Sequence, residues 1–503
     1  MGKIVTTTLN RFDGGIVNDP RTPRAGVCRM CTNFDALTNP YKLTPYRTSE
    51  DGDSAASTSQ KQNFQIALRT GTTYSLYSLG VKSGAATAEV LYKDLTTGGS
   101  NDLDDATWST PTNNQSSSGA ANFDLFLYYK TAGLIIGARA GTNLWAFSPS
   151  GSAWSDSWQA LTYTNIAQGI VHSKDDIAYF PYDNKIASYN HTGTVWNATA
   201  LTLPSHFYVT SICEYGNYLA IACAPLNAVG KSHVFLWDRD STLVTLSESI
   251  DWGEGSLRVL HEIEGSLVGA SLYGSNSTRF KDRVVFKSST GYGAKEFLTL
   301  QGGTTTYLPI AKQKIDNRLW FMMSISLGGS TREGVWSIGK NEEGGFSVLH
   351  ERTPNGDTAL TSPVFKNFFI IGDYLFQSYV DNSAYVLFKT NDQESYPTAI
   401  YETVIFNAGD ASQKKDLAGL AVSHEALASG AQVVVKYKVD EDSSWTTLLT
   451  SDTDDAISAD ISSLATNMPK GYKEVHYRIE STGGAVVTGL MFDQEITGGR
   501  SYN

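Results

Sequence analysis

The residues best placed to do chemistry together are Asp251, Trp252 and Glu254, in the run Asp251-Trp252-Gly253-Glu254. Carboxylates flanking an indole can hold a sugar, the ring stacking on its apolar face and the acids taking its hydroxyls. Hydrolysing a glycoside would need two such acids at one cleft. Glu262 and Glu264 lie close by, but none of these acids forms a paired motif. The run therefore reads as a weak glycan-site candidate, against the plainer reading of a loop tip with a buried Trp. Hairpin boxes of the form S-x-D-x-G-x-T-W are approached at Ser148–Trp154 and Thr192–Trp196, both without the aspartate.

Other chemistry is sparser. Cys28 and Cys31 form a C-x-x-C with no second pair or His cluster to complete a zinc site. Cys213 and Cys223 flank a turn at Gly216-Asn217 but stand out of register for a disulfide, so free core thiols are expected. The acidic tracts Glu50–Asp53, Asp102–Asp105 and Asp452–Asp455 lack the ordered ligand spacing of a calcium loop. There is no P-loop and no G-x-S-x-G elbow. The expectation is no catalytic residue, no metal and no cofactor.

The elements that would position these residues form a repeat. From Ser211 to Arg239 the chain reads apolar strand, Gly-Asn turn, second strand, loop and third strand. Second and third strands of the same kind begin at Phe64, Leu134, Ile177, Tyr218, Ser266, Arg318 and Tyr374. A period of roughly 40–50 residues with several strands per unit is that of propeller blades. Seven blades over residues 61–392 are predicted, with a polar insertion at 82–122 that contains a strand pair near Val90–Lys93 and Trp108. After a polar linker the rhythm changes. Residues 398–495 hold about six alternating strands, which predict a jelly-roll-like β-sandwich with Trp445 in its core, followed by a tail at 496–503.

The 503 residues carry 18% charged residues, 45 Gly and a net charge of −12, which fits a turn-rich all-β chain and argues against an ordinary nucleic-acid-binding surface. No apolar window long enough to cross a membrane is present, so membrane insertion is not expected. The start matches the myristoylation pattern through Gly2 and Thr6, a short match that arises often by chance. Residues 1–60 read as an extended arm: prolines at 20, 23, 40 and 45 exclude a helix, and only Ile4–Leu9 alternates, as a strand lent to another blade or subunit.

Within that arm, Phe12, Gly14, Gly15 and Ile16 are followed by Asn33-Phe34-Asp35 and by the run Pro40, Tyr41, Lys42, Leu43, Thr44, Pro45, Tyr46, Arg47. This opening resembles the N-termini of virion proteins of tailed bacteriophages, especially β-propeller tail-hub and head-to-tail connector proteins. The resemblance covers about forty residues and implies an arm that packs on neighbouring subunits or closes the propeller ring.

The first reading is accordingly a structural virion protein. It would be a homo-oligomer of six or more copies around the tail axis, next to other tail or portal-proximal proteins, with DNA passing through unbound. The second is a peripheral receptor- or glycan-binding tail protein, for which exposed aromatics on one face of 398–495 would speak. The third, a propeller glycoside hydrolase, finds no motif.

Overall fold

A two-residue hairpin turn must twist with the strands it joins, and several turns along this chain meet that demand. Gly71, Gly216 and Gly372 take the first central position at φ 56°, 57° and 54°, while Glu264-Gly265 and Asp316-Asn317 are left-handed at both positions. These are the primed turns that suit twisted strands. They close Thr70 on Thr73, Tyr215 on Tyr218, Ile263 on Ser266, Ile315 on Arg318 and Ile371 on Tyr374.

The structure is a computed structural model that describes residues 3–17, 21, 26–51, 59–82, 88–95, 103, 108–112, 126–139, 141–227, 230–240, 246–273, 283–302, 312–327, 330–354, 364–381, 384–391, 393–462 and 468–497. Gly2, Pro20, Pro23, Asp53, Asp102, most of the 82–122 insertion and the end of the 496–503 tail lie outside them.

Each hairpin belongs to an antiparallel sheet. Ser59–Thr70, Thr73–Lys82 and Ala88–Asp94 make the first, and four-stranded sheets follow from Phe126–Tyr129, Ile170–Val171, Phe207–Tyr215, Ser256–Ile263 and Lys312–Ile315 onward. The last joins Val364–Ile371, Tyr374–Asp381 and Ala384–Thr390 to Ser49–Asp51, a strand from far upstream. In the first copy the sequence pattern is one strand out. The run from Phe64 lies in the leading strand of its sheet, because Val90–Lys93, expected in an insertion, is the third strand, with Tyr92 bridging to Ser109.

Neighbouring sheets pack through apolar faces. Ala67, Tyr77 and Val90 meet Ile135, Trp145 and Phe147; Leu144 and Ala146 meet Phe180 and Tyr189; Ile186 and Leu201 meet Ile221 and Trp237; Ala222 and Trp252 meet Leu257 and Leu267. Phe376 and Leu387 of the last sheet pack against Phe64, Leu76 and Trp108 of the first. The sheets thus close on themselves as an all-β, multi-bladed, β-propeller-like fold. Cys28, Cys31, Cys213 and Cys223 are buried free thiols, and Cys213 faces Ala220.

One ammonium ties three of the leading strands together. Lys312 donates to Ser211 Oγ at 2.5 Å and to the carbonyls of Ile212 and Leu260 at 3.0 and 3.1 Å. Burial pushes its pKa down to about 8.

By contacts the chain divides into two units: residues 50–333 with 359–390, and residues 1–49 with 334–358 and 391–503. The second of these is built mainly on two larger sheets. Eight of its strands are β1 (Lys3–Leu9), β2 (Ala399–Thr403), β3 (Lys415–His424), β4 (Gln432–Val439), β5 (Thr446–Ser451), β6 (Ser458–Ser462), β7 (Val475–Thr482) and β8 (Val487–Ile496). One sheet runs β1-β8-β3-β6; the other runs β2-β7-β4-β5 and is extended beyond β2 by Val27–Thr32 and Gly15–Ile16. Phe492 of the first sheet meets Tyr477 of the second with ring centroids 4.7 Å apart, among buried Leu420, Leu490, Val433, Val435 and Ile479.

The strand Ile4–Leu9, expected to be lent to another blade or subunit, instead pairs along its length with β8, Leu9 opposite Leu490 and Lys3 opposite Ile496. The rest of the expected docking arm is likewise used within its own unit. Phe12, Phe34 and Leu43 are fully buried, Ile16 nearly so, and Phe12 packs edge-on against Tyr401 at 5.3 Å. Gly14 N–H donates to the Gly26 carbonyl and Phe12 N–H to that of Pro40. Gly15, at φ 79°, lies so close to Ser347 that a Cβ would stand 2.8 Å from that side chain. Buried Asp13 accepts from Arg11 at 2.6 Å and from the Glu342 amide at 2.7 Å. Asn33 holds Thr353 and Thr398, Tyr46 donates to Glu351, and Arg47 donates to the Asn391 carbonyl. Tyr41 stays half-exposed, donating to Glu342. Phe12, Phe34 and Leu43 are thereby committed to the interior of their own unit.

Two outcomes follow from the packing. Gly137 faces Trp145 so closely that a Cβ would overlap the indole. Gly137→Ala should therefore cost on the order of 2 kcal/mol in urea denaturation, as overpacking does. For Lys312, the folded pKa of about 8 lies below the ordinary 10.5, so the unfolded chain binds more protons between these values and stability rises with pH across them. That rise should be absent in Lys312→Met, measured by urea denaturation across the same range.

Candidate functional site

The residues that the sequence singled out for sugar binding do not form a site. Ile250 and Trp252 alternate inward along their strand and are buried, Trp252 completely, among Leu257, Leu260 and Leu267. Asp251 points outward and takes the Lys231 ammonium at 2.8 Å, which holds its carboxyl below the usual range. Glu254 is exposed on the strand end paired with Lys231. An indole with no exposed face cannot stack on a sugar.

The structure assembles a different indole with polar groups, on the outer face of the β2-β7-β4-β5 sheet. Alternation sends Val433 and Val435 of β4 and Tyr477 and Ile479 of β7 into the core, and so sends Lys436, Lys438, His476, Arg478 and Glu480 outward. The register places Lys438 beside His476 and Lys436 beside Arg478. Arg478 is fixed by Glu402 of β2, with Nε 2.9 Å from Oε1, and Lys436 by Glu480 at 2.6 Å.

The hairpin from β4 to β5 then folds back over this face. Asp440 turns the chain at φ 47° and accepts the amides of Lys473 and Glu474, both at 2.9 Å. Lys438 donates to the Ser443 carbonyl at 2.7 Å. The next turn delivers Trp445, its ring 5.0 Å from that of His476, with the Arg478 guanidinium 4.5 Å and the Lys438 ammonium 5.0 Å from its centroid. Cations at these distances are attracted to the indole face. Trp445, expected in the core, is only half-buried, because the hairpin lays it on the outside of the sheet.

A cleft of about 270 Å³ opens on this face, lined by Arg29, Ile405, Lys438, Asp440, Glu441, Asp442, Glu474, Val475 and His476; Trp445 does not line it but packs against two of its walls, Lys438 and His476. Arg29 lies 3.3 Å from His476 Nδ1. A guanidinium can only donate, so Nδ1 accepts and the neutral ring carries its proton on Nε2. Burial first, and Arg29 second, push the His476 pKa down to about 4. The cleft thus offers carboxylate acceptors, Lys and Arg donors and an uncharged imidazole beside an aromatic platform. Its volume lies just below the roughly 300–1,000 Å³ usual for ligand pockets, so it can take only a small group. No sequence motif pointed here; the only signal was Lys436 and Lys438 at alternating positions before the polar run Asp440–Ser444 and Trp445.

No protein-family model matches the chain, and no curated protein sequence matches it. Three solved structures give a sense of the fold-level likeness. The β-propeller domain of Cps50 (Swd1) from Myceliophteria thermophila is 10% identical with TM-score 0.41, covering 66% of this chain and 96% of its own. The WD40 domain of Toxoplasma gondii coronin is 9% identical with TM-score 0.39, covering 72% and 88%. The GH74 xyloglucanase of Xanthomonas campestris is 11% identical with TM-score 0.41, covering 80% and 66%. Likeness at this level transfers no activity to this chain.

The electrostatics of the cleft give a direct outcome. Because the folded pKa of His476 lies below the ordinary 6.5, the stability it contributes is present above that value and is lost as pH falls toward about 4. NMR titration should show His476 gaining its proton near pH 4, and Arg29→Met should raise that midpoint by removing the neighbouring positive charge.

Proposed function

We propose that this chain is a peripheral recognition protein of a tailed-phage virion, binding host-surface glycan through the Trp445 cleft. The observation that carries this reading is the half-exposed indole beside a cleft of mixed acids and bases, on the outer face of the 398–495 region. The unit that holds it supports the same reading. Strand orders β1-β8-β3-β6 and β2-β7-β4-β5 are those of an eight-stranded jelly roll, an architecture used in lectin and capsid domains. On this reading the other unit is a seven-bladed propeller, a stiff body that carries the jelly roll. The host surface would be the partner, with the virion tail as the location.

A second reading is an axial ring protein through which DNA passes. The net charge of −12 favours it, since an acidic body offers phosphates no attraction. Against it, Phe12, Phe34 and Leu43 of the segment that was to join the subunits of such a ring are buried in their own chain.

The test is binding of the full chain to arrayed bacterial surface polysaccharides and their oligosaccharides. Wild type should bind a restricted set, and Trp445→Ala should lose at least tenfold in affinity with its urea midpoint nearly unchanged, since the ring lies outside the core. Absence of binding by wild type, or equal binding by Trp445→Ala, would refute the reading.

A further inference from the structure

We propose that the free edge of β1 pairs antiparallel with the same edge of a second copy, so that one sheet runs unbroken through a two-fold dimer. The inference is independent of the glycan reading and starts from the edge itself. β1 ends its sheet, with β8 on one side and, among the described residues, no strand on the other. Its seven residues pair with β8 in continuous register without a bulge, and none of them is buried.

Natural sheet edges are guarded by proline, by bulges or by charges along the strand, because an unguarded edge is a template for another strand. This edge has none of these beyond Lys3 at its start; Ile4, Val5, Thr6, Thr7 and Thr8 are all β-branched strand formers. The occupant that fits is a second copy. A two-fold axis through Thr6 makes the edge its own complement, as an isologous interface requires.

That register also accounts for the outer face. Thr6 meets Thr6 of the second copy, a favourable cross-strand pair, while its hydroxyl donates to Asp493 at 2.5 Å on its own chain. Ile4, 58% exposed, falls opposite Thr8 of the second copy, whose own neighbour across the sheet is Met491, 44% exposed. Two exposed apolar side chains thereby join one continuous row. The carboxylates of Asp493 stay a strand away from the axis on each side, so they do not oppose one another directly.

The experiment is light scattering on the full chain during gel filtration. Wild type should elute as a dimer at micromolar concentration. Thr6→Lys and Thr6→Asp each place like charges across the axis and should each raise the dissociation constant at least tenfold, with circular dichroism unchanged. An equimolar mixture of the two should recover the dimer, which a folding defect could not do. Because Cys28, Cys31, Cys213 and Cys223 are buried, Thr6→Cys should add an accessible thiol and crosslink two chains on mild oxidation. A monomeric wild type, or dimers that persist in Thr6→Lys, would overturn the proposal. So would a mixture that stays monomeric. An edge filled by a strand of another protein would show as the first of these.

Discussion

The pairing of the chain's first strand with its last is the constraint on which the rest depends. β8 runs between β1 and β3, so over Leu490–Ile496 half of its backbone groups are satisfied only by Lys3–Leu9, far away in sequence. Closing so long a loop costs only about 2 kcal/mol more than closing one a tenth as long, because the entropy grows with the logarithm of length. The cost is chiefly kinetic, since non-local strands pair late. What then holds β1 in place lies beside it: Phe12 against Tyr401, and Asp13 fixed by Arg11 and the Glu342 amide. The same leading segment goes on to give Ser49–Asp51 to the last propeller sheet, where Glu50 pairs with fully buried Lys389 at 3.0 Å.

The candidate site inherits its order from the sheet beneath it. Val433, Val435, Tyr477 and Ile479 are locked in the core, so the alternating residues between them have fixed positions on the outer face. Arg478 and Lys438 are each tied by a hydrogen bond before they reach the indole, and Asp440 uses its carboxylate to brace the hairpin. A platform held in this way is arranged before a ligand arrives, which spares the ordering cost of binding. Lys312 shows the same logic in the propeller-like unit, where one ammonium satisfies a hydroxyl and two carbonyls from neighbouring strands.

Much of the architecture was legible in the sequence, because short-range chemistry decides it. Gly216-Asn217 and Asp316-Asn317 announce primed turns, and the apolar strands on either side announce sheets. The first copy was read one strand out because its leading strand carries the apolar run seen in second strands elsewhere. The site was less legible, for a reason visible in two tryptophans. Trp252 follows Ile250 at period two and is therefore core, a signal present in the sequence but outweighed by the acids beside it. Trp445 also neighbours a strand, yet a left-handed turn at Asp440 sends it to the outer face, and no local pattern specifies that. Nor could any local pattern show that Lys3–Leu9 belongs beside Leu490–Ile496.

The most direct measurement is hydrogen exchange on the full chain and on a chain lacking residues 1–9. If the first strand covers the last, removing it should speed exchange at about half of the amides of Leu490–Ile496, those that face β1, while the sheets between Phe126 and Gln301 keep their protection. Unchanged protection across Leu490–Ile496 would mean that the two ends do not pair, and the account would fail there.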